Sequence, residues 1–307
     1  MLKYGRNYAL YIQEDTTTLT SESNTFNTST LNENTPGFLL IEPPFTVEFD
    51  ISRDLFSASN FASIRIYNLA KNNRNLIYKP QIDYGSLKQI QFQAGYGKNL
   101  SIIFNGDIQE GWSVREGVNF ITQCQCFGNG FAYVNAQTNQ SIVSGTPNES
   151  VLESIMADLP GVLVGKIGNY PGSLANDRSY SGSTIKLLRE LTGGGFFIDN
   201  GIANCINYNE TLVGPIDTID SNSGLLGTPT IEGGIYVVVN MLFEPQIVMG
   251  QAVKLNSTTF NGINGTNPNA QYKVVGIQHK GMISPTVCGE VITTLKLAGG
   301  VNFKTVT

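Results

Sequence analysis

Apolar and polar residues alternate in several short runs within the first 135 residues. The alternation is clearest from Phe45 to Ser52, where every second side chain is apolar, and it is typical of a strand that buries one face. Tyr8–Ile12 shows the same pattern. Five further strands are predicted, at Ser63–Tyr67, Gln89–Ala94, Ser101–Phe104, Gly111–Val114 and Asn119–Phe127. Because these runs are short, and only Leu69–Ile77 among them is predicted to be helical, the pattern indicates an antiparallel sheet or barrel.

The hydrophobic period lengthens near Ser141 to that of a helix. Thr146-Pro147-Asn148-Glu149 precedes apolar residues at helical spacing, and is expected to supply an N-cap hydroxyl, a first-turn proline and a capping-box carboxylate. A second helix is predicted from Ser183 to the glycines at 193–195. Asp199-Asn200-Gly201 then separates two apolar runs, and Asn-Gly provides the positive φ angles of a tight hairpin. Residues 140–210 are therefore predicted to form a compact α+β unit.

Strand patterns return after Pro215. Four runs are predicted to be strands: Gly234–Asn240, Gln251–Leu255, Tyr272–Gln278 and Cys288–Leu297. The predicted fold class is therefore mainly β with an α+β insert, divided into 1–138, 139–212 and 213–307. Within the first part, Thr16–Asn34 is dominated by Thr, Ser, Asn and Glu. It is expected to be a long loop or an arm that a neighbouring molecule orders.

The composition indicates a polar but weakly charged surface. Only 14 % of the residues are charged, against about 25 % in typical soluble domains. The net charge is −5 and lysine and arginine do not cluster, so a tight electrostatic grip on nucleic acid is not expected. A mildly acidic wall would instead let DNA slide past. An ordinary extracellular β-protein could have this composition too, and composition alone does not exclude it.

Apolar runs are too short for a membrane-spanning helix. The longest, such as Ile235–Val239, have about five residues, whereas a span needs about 20. The first residues lack the apolar core of a signal peptide, so the protein is expected to be made and kept in a cytoplasm. Four reduced thiols, and not a disulfide, are expected there. Cys124 and Cys126 would point to one face of a strand, and Cys205 and Cys288 are isolated.

The single histidine, His279, limits the chemistry that the chain could perform. A Ser-His-Asp or Cys-His arrangement would have to use it, but no nucleophile signature surrounds it, and a structural or surface role is expected. One histidine and no C-x-x-C pair also leave nothing for a zinc site. The spacing of Cys124 and Cys126 predicts two small side chains in the core.

Acidic residues and a glycine run are the other candidates for chemistry. Two carboxylates suffice for a glycosidase, and the nearest pairs are Asp107 with Glu110 and Asp50 with Asp54. Solvated surface acids are the expected interpretation of both. Glycines 193–195 follow a helix and precede a strand, whereas phosphate loops run from strand to helix. The glycines are therefore predicted to end the helix.

Three aromatic residues could form a sugar-stacking platform: Trp112, Tyr96 and Phe104. Aromatic residues at strand spacing more often fill a core. The sequence thus predicts no catalytic residue, no cofactor-binding residue, no metal ligand and no enzymatic activity.

Motifs spread over most of the chain resemble the baseplate hub family of contractile-tailed bacteriophages. In chain order they are Ile64–Leu69, Phe92–Tyr96, Ile103–Ile108, Gly224–Thr230, Phe243–Ile247, Gly250–Val253, Gly276–Gly281 and Thr293–Leu297. The third contains a Phe-Asn-Gly turn, and the last is a closing strand. Each motif is short, and the resemblance is carried by their order and spacing.

The resemblance implies two tail-tube-like antiparallel β-barrels with a small α+β domain on the outside. It implies a homotrimer whose six barrels form a pseudo-sixfold ring. Such a ring would adapt a hexameric tail tube to a trimeric spike, contact wedge proteins and form part of the DNA exit channel. The implied location is the virion tail baseplate, assembled in the host cytoplasm. Related injection-machine proteins continue into a long β-helical spike, whereas this chain ends at Thr307. The spike is therefore expected to be a separate polypeptide.

Two rival functions belong to other classes. A carbohydrate-binding β-module of a tail or cell-surface protein would use Trp112 and tyrosines, and would bind sugar as a monomer. A cell-wall hydrolase is the weaker rival, because the chain has one histidine and no paired-acid signature.

Overall fold

Twenty strands and four helices make up the part of the chain that the computed structural model describes. This part comprises residues 5–14, 37–56, 60–82, 87–260, 271–285, 289–299 and 303–306. The predicted arm at Thr16–Asn34 and the fourth cysteine, Cys288, lie outside these ranges.

The elements alternate between a strand-rich beginning, a mixed middle and a strand-rich end. The first group is β1 (Arg6–Gln13), β2 (Phe38–Ile41), β3 (Val47–Asp54), β4 (Phe61–Tyr67), α1 (Lys71–Ile77), β5 (Lys88–Tyr96), β6 (Asn99–Glu116) and β7 (Asn119–Phe127). The middle group is α2 (Gly130–Asn135), β8 (Gln137–Ile142), α3 (Asn148–Met156), β9 (Leu163–Ile167), β10 (Arg178–Ser183), α4 (Thr184–Thr192), β11 (Phe196–Asp199) and β12 (Ile202–Cys205). The last group is β13 (Glu210–Leu212), β14 (Thr218–Ile219), β15 (Leu225–Glu232), β16 (Tyr236–Leu242), β17 (Ala252–Leu255), β18 (Gln271–Ile283), β19 (Val291–Gly299) and β20 (Lys304–Val306).

Thirteen of the described strands belong to one sheet. Its path runs β15-β16-β19-β18-β3-β4-β7-β6-β5-β1-β2, and β17 joins β18 and carries β14. Every pair along this path is antiparallel. Between the described strands the path is open at both ends. The predicted fold class, mainly β with an α+β insert, is confirmed.

The pairing of β3 with β18 joins the beginning of the chain to its end. Val47–Asp54 lies antiparallel to Gly276–Ile283, with His279 opposite Ile51 and Ile277 opposite Arg53. The strands of both terminal parts therefore share one backbone hydrogen-bond network, and the middle of the chain is looped out from it.

The buried apolar residues form three clusters. The first lies under β1 and β3–β7 but also contains Phe243, Ile283 and Val291 from the last part of the chain. The second lies around β16–β19, and the third packs α3 and α4 against β11 and β12. The domain boundaries after residues 138 and 212 stay a prediction.

Two local predictions were wrong. The runs at Ser101–Phe104 and Gly111–Val114 are one strand, the 18-residue β6, because a bulge between Ile108 and Glu110 shifts its register without ending it. The capping box before α3 is not formed. Pro147 is the N-cap, and it makes no side-chain cap bond because a proline ring carries no polar group. Thr146 lies one position before the cap, and its hydroxyl donates to the Val143 carbonyl at 2.8 Å.

Two turn predictions are confirmed. Helix α4 ends at Gly193, which has a φ of 62°, in the left-handed region where a side chain would be strained. The hairpin between β11 and β12 turns at Asn200 and Gly201, with φ angles of 49° and 86°.

Asp107 on β6 shows how the polar face of the sheet holds α2. Its side chain is buried, and Oδ2 accepts a hydrogen bond of 3.0 Å from the backbone N–H of Phe131 in the first turn of α2. Burial raises the pKa of Asp107 to about 6 from 3.8, although the backbone N–H groups and Lys79 oppose the shift. Desolvation of the carboxylate thus outweighs the hydrogen bonds that favour it.

We predict that Asp107→Asn stabilises the protein at pH 8. A carboxyl whose pKa is higher in the folded state binds more protons in that state than in the unfolded chain. Its contribution to the free energy of unfolding therefore falls as pH rises from about 4 to about 6. An amide keeps the acceptor oxygen without the buried charge. Urea unfolding should show the difference between variant and wild type growing by 1 kcal/mol or more over this range. Asp50→Asn, at a half-exposed position, is the matched control. If the free energies of unfolding of wild type and Asp107→Asn changed in parallel with pH, the prediction would be wrong.

Candidate functional site

A row of polar side chains crosses the sheet at the seam between its two halves. Arg53 on β3, His279 on β18 and Thr293 on β19 share one face, because residues opposite one another across strands point the same way. Arg53 Nη2 lies 3.3 Å from His279 Nε2, and His279 Nδ1 lies 3.0 Å from Thr293 Oγ1. All three are buried, with the most exposed, Arg53, at 2 %. The row separates the first apolar cluster from the second.

The hydrogen-bond pattern defines the protonation state of His279. Arginine only donates, so Nε2 of His279 accepts and the proton resides on Nδ1, which donates to Thr293. Burial and, second, the neighbouring Arg53 charge lower the pKa of His279 well below its usual 6.5. The Phe243 ring packs edge-on against the imidazole, with centroids 5.5 Å apart. The histidine is therefore a neutral, buried group with structural partners.

Asp199 attaches the predicted α+β unit, residues 139–212, to this row. Both of its carboxylate oxygens lie 3.1 Å from Arg53 Nη1. Asn60 reinforces the contact, because its side-chain amide donates to the Ile198 carbonyl at 3.2 Å and to Asp199 Oδ1 at 3.4 Å. A buried ion pair of this kind orients two units strongly, because a misplaced partner would leave a charge unpaired.

The turn that follows Asp199 holds a second strand. The Asn200 side chain donates to the Ile102 carbonyl on β6 at 3.1 Å, and the Asn105 side chain donates back to the Asn200 carbonyl at 3.4 Å. The Asn-Gly hairpin predicted from sequence is therefore also the element that docks the α+β unit on the sheet.

A second polar clamp lies at the other end of the α+β unit. Buried Glu210 accepts hydrogen bonds of 2.9 Å from the backbone N–H groups of Asn169 and Asn207. Lys273 on β18 donates to the Asn207 carbonyl at 2.9 Å. Burial lowers the pKa of Lys273 to about 8, although the Glu210 charge opposes the shift. The first clamp ties the α+β unit to β3 and the second ties it to β18, and these two strands are paired with each other.

A groove of about 660 Å³ runs beside the first clamp. Its walls are largely apolar and come from the α+β unit, β6 and the loop before β17: Ile102, Val164, Ile202, Ile247 and Met249. Arg53 and Asp199 also line it, but their charges are already paired with each other. The groove gathers no set of polar groups that would suit a reaction.

Cysteine and metal chemistry find no support among the described residues. Cys124 and Cys126 are both buried in the first apolar cluster, and Cys205 is buried against Met156. All three are free thiols, and burial raises their pKa values. The described ranges contain no group of three or more histidine, cysteine or acidic side chains placed to hold a metal ion. Within the same ranges, no helix is both long and apolar enough to cross a bilayer.

The acid pairs do not form a catalytic site. Asp50 is bound by Lys280 at 3.2 Å and by the Gln278 side chain at 2.7 Å. Asp54 accepts from the backbone N–H of Phe56 at 2.7 Å. Asp107 is committed to α2, as described above, while Glu110 lies past the bulge of β6. These acids therefore serve separate structural contacts.

The three aromatic residues of the predicted sugar platform do not share a surface. Phe104 is fully buried in the first cluster, and Tyr96 packs partly buried against the same cluster. The Tyr96 hydroxyl donates to the Phe243 carbonyl at 2.9 Å. Trp112 is half-buried farther along β6. A flat stacking surface would need all three rings exposed together.

The polar seam was missed by the sequence interpretation, although one signal for it was present. Val47, Phe49 and Ile51 alternate toward the core, and Arg53 occupies the next inward position. An arginine in register with core residues indicates a buried charge that requires a partner. The partner, Asp199, is 146 positions away, and no local pattern identifies it.

Exposed apolar residues concentrate near the end of the sheet that carries β15. Ile231 and Ile235 are 48 % and 56 % exposed, and Leu242 is 42 % exposed. Strand β15 contains Pro229 and an irregular register between Leu226 and Thr230, features that limit uncontrolled edge pairing. At the opposite end, β2 pairs with β1 alone among the described strands.

Comparison with protein families finds one match. The family model described as baseplate hub gp41 matches residues 25–274. A comparison with curated proteins finds no match.

Solved structures with a similar fold come from phage tails and related assemblies. A tail protein from Neisseria meningitidis MC58 aligns with a TM-score of 0.55 at 11 % identity, over 96 % of this chain and 97 % of its own. The 43 kDa tail protein of prophage MuSo2 from Shewanella oneidensis aligns with a TM-score of 0.53 at 8 % identity, over 85 % and 95 %. A chain of the Francisella PdpA–VgrG complex aligns at 0.56 and 8 %, over 96 % of this chain and 53 % of its own. At these identities the similarity is one of fold.

We predict that Arg53→Leu destabilises the protein by about 3–5 kcal/mol, because it leaves the Asp199 carboxylate buried without its counter-ion. Asp199→Asn should also lower the free energy of unfolding, because it leaves the Arg53 guanidinium buried without its counter-ion. The double variant should be clearly more stable than the sum of the two losses predicts, as a double-mutant cycle by urea unfolding would measure. Lys186→Ala, which removes an exposed pair with Glu190, should change stability by less than about 0.5 kcal/mol. An Arg53 variant no worse than this control would contradict the assignment.

We also predict that His279 remains neutral in the folded protein as the pH falls through 6.5, the ordinary pKa of a histidine, because burial and the Arg53 charge hold its pKa well below that value. As the only histidine, it gives one set of imidazole signals in side-chain NMR spectra. The unfolded chain takes up this proton below about pH 6.5 and the folded chain does not, so stability should fall as pH decreases through that value. His279→Gln should remove this component from the pH profile. Titration of the folded imidazole near pH 6.5 would show that the described hydrogen bonds are wrong.

Proposed function

The chain belongs to the baseplate hub gp41 family, and on that premise we propose that it is the structural hub at the end of a contractile phage tail. In this proposal three copies form a ring with pseudo-sixfold symmetry. The ring adapts a hexameric tail tube to a trimeric spike, contacts wedge proteins and encloses part of the DNA exit channel. The protein is a virion component assembled in the host cytoplasm.

The observation that carries this proposal is the open sheet. Its described path ends at β15 on one side and at β2 on the other, and unpaired strand edges favour association. The two ends are different surfaces of one chain, so contacts between them are head-to-tail and can close into a cyclic ring. The two apolar clusters on one sheet support two barrel-like halves per chain, divided as 1–138 and 213–307.

The charge supports a channel that does not retain DNA. Each chain carries −5, so three chains carry −15 in total. A net negative assembly repels a phosphate backbone and keeps it mobile.

The two polar clamps support a rigid role for the α+β unit, residues 139–212 in this division. Arg53 and Lys273 hold it from two neighbouring strands, so a force on the α+β unit passes directly into the sheet. The polar segment 16–34 is proposed to reach a neighbouring subunit. We propose no catalytic, metal or cofactor role for the chain.

We predict that the purified full-length protein, alone or mixed with the tail tube protein of its phage, forms a ring of three chains. Mass photometry should give a species of about 100 kDa for three chains of 33.3 kDa each. Negative-stain images should show a central hole and six density lobes.

A carbohydrate array run in parallel separates the hub from a sugar-binding module. The hub should show no glycan binding, and Trp112→Ala should change neither the array nor the ring. A persistent monomer of 33.3 kDa under both conditions, with glycan binding that Trp112→Ala abolishes, would replace the hub proposal with the module.

A further inference from the structure

The hairpin between β6 and β7 ends in a cationic and apolar projection. We call Arg115–Phe120, together with Arg74 of α1, the β6–β7 tip. Val118 in its turn is 87 % exposed, and Phe120 is 38 % exposed. The Arg74 guanidinium lies 4.1 Å from the centroid of the Phe120 ring, and that of Arg115 lies 5.6 Å from it. An aromatic side chain in contact with two arginines, next to an exposed valine, has the composition of interface hot spots.

The tip is held in one conformation before any partner binds. Asn68, which has a φ of 60°, accepts from the backbone N–H of Phe120 at 3.0 Å and donates to the Asn119 side chain at 3.0 Å. Its own backbone N–H donates to the Phe120 carbonyl at 2.7 Å. A rigid surface loses little conformational entropy on binding, which favours affinity.

The two arginines carry charges that the described residues do not neutralise. The nearby carboxylates, Glu48 and Glu116, both lie 3.1 Å from Arg65 instead. Within the described ranges neither Arg74 nor Arg115 forms an ion pair, and the Arg115 Nε–H is used on the Gly117 carbonyl. Guanidinium groups in this state suit a carboxylate, which they can bind in a forked geometry.

We propose that the β6–β7 tip is a docking surface for an acidic face of an adjoining baseplate protein. A carboxylate of that protein binds between Arg74 and Arg115, and an apolar side chain covers Val118. Nucleic acid is the less suitable occupant, because a phosphate backbone is bound by an extended set of basic side chains and lysine and arginine do not cluster in this chain. A single carboxylate needs only the two guanidinium groups. The identity of the partner class rests on the proposed hub function, whereas the charge and shape of the tip do not.

The test uses the full-length protein and three probes: the tail tube protein and the spike protein of the same phage, and a labelled DNA duplex. Arg74→Ala/Arg115→Ala and, separately, Val118→Asp should each weaken binding to one of the two proteins at least tenfold. The wild-type affinity should fall steeply with added salt, and the slope should be shallower for the double arginine variant. Arg178→Ala, which removes an arginine stacked on Tyr180 in the α+β unit, is the matched control and should stay within twofold.

Several outcomes would overturn the proposal. In the first, the tip variants bind the tail tube and spike proteins as tightly as the wild type does. In the second, the wild-type protein binds neither of the two. In the third, the main effect of the tip substitutions is a loss of DNA binding. Loss of the ring in mass photometry on tip substitution would mean that the surface contacts a second copy of the chain. Failure of the hub proposal remains distinguishable, because a wild-type monomer would refute the ring while its protein binding still reports on the tip.

Discussion

The antiparallel pairing of β3 with β18 is the constraint on which the rest of the structure depends. It brings Val47–Asp54 against Gly276–Ile283 and so closes a loop of more than two hundred residues. The entropy of closing such a loop grows only slowly with its length, and a long row of backbone hydrogen bonds with apolar side chains on its face can offset it. Once this pair forms, both terminal parts belong to one sheet, and the α+β unit projects from its seam.

The seam between the two apolar clusters is lined by buried polar side chains, where apolar side chains could have been buried without partners. Arg53, His279 and Thr293 interrupt the buried face between the first and second clusters, and Arg53 is bonded to Asp199 of the α+β unit. Buried ion pairs add little net stability, because desolvation of both charges offsets their attraction. The ion pair instead fixes the orientation of the α+β unit. Asp199 and Asn200 can make their bonds to Arg53 and to the Ile102 carbonyl in one position of this unit only. Apolar packing alone would tolerate small rotations.

The same logic separates the interior of the protein from its contact surfaces. Inside, each candidate for chemistry is committed to a neighbour: His279 to Arg53 and Thr293, and Asp107 to α2. Outside, the unsatisfied features are strand edges, exposed apolar side chains and the two arginines of the β6–β7 tip. A chain that holds these groups in structural contacts and exposes strand edges and apolar side chains is suited to assembly. This contrast agrees with membership of a baseplate hub family and with the fold shared with phage tail proteins at 11 % identity or less.

The sequence by itself determined the features that depend on neighbours along the chain. Alternation identified β3, β4 and β7, glycine ended α4, and Asn-Gly formed the β11–β12 turn, because strand faces and turn angles are local properties. It also predicted a structural or surface role for His279, since no nucleophile signature surrounds the single histidine. The capping box at Thr146 failed because the N-cap is Pro147, one position later, and the bulge of β6 was read as a break. Only the tertiary structure decided that both halves share one sheet, that Arg53 contacts Asp199, and that Arg74 packs on Phe120. The last two contacts join residues 46 and 146 positions apart, and the strand pair joins residues more than 200 positions apart. The pairing of distant strands is governed by the total burial and hydrogen bonding of the folded chain, which no local pattern encodes.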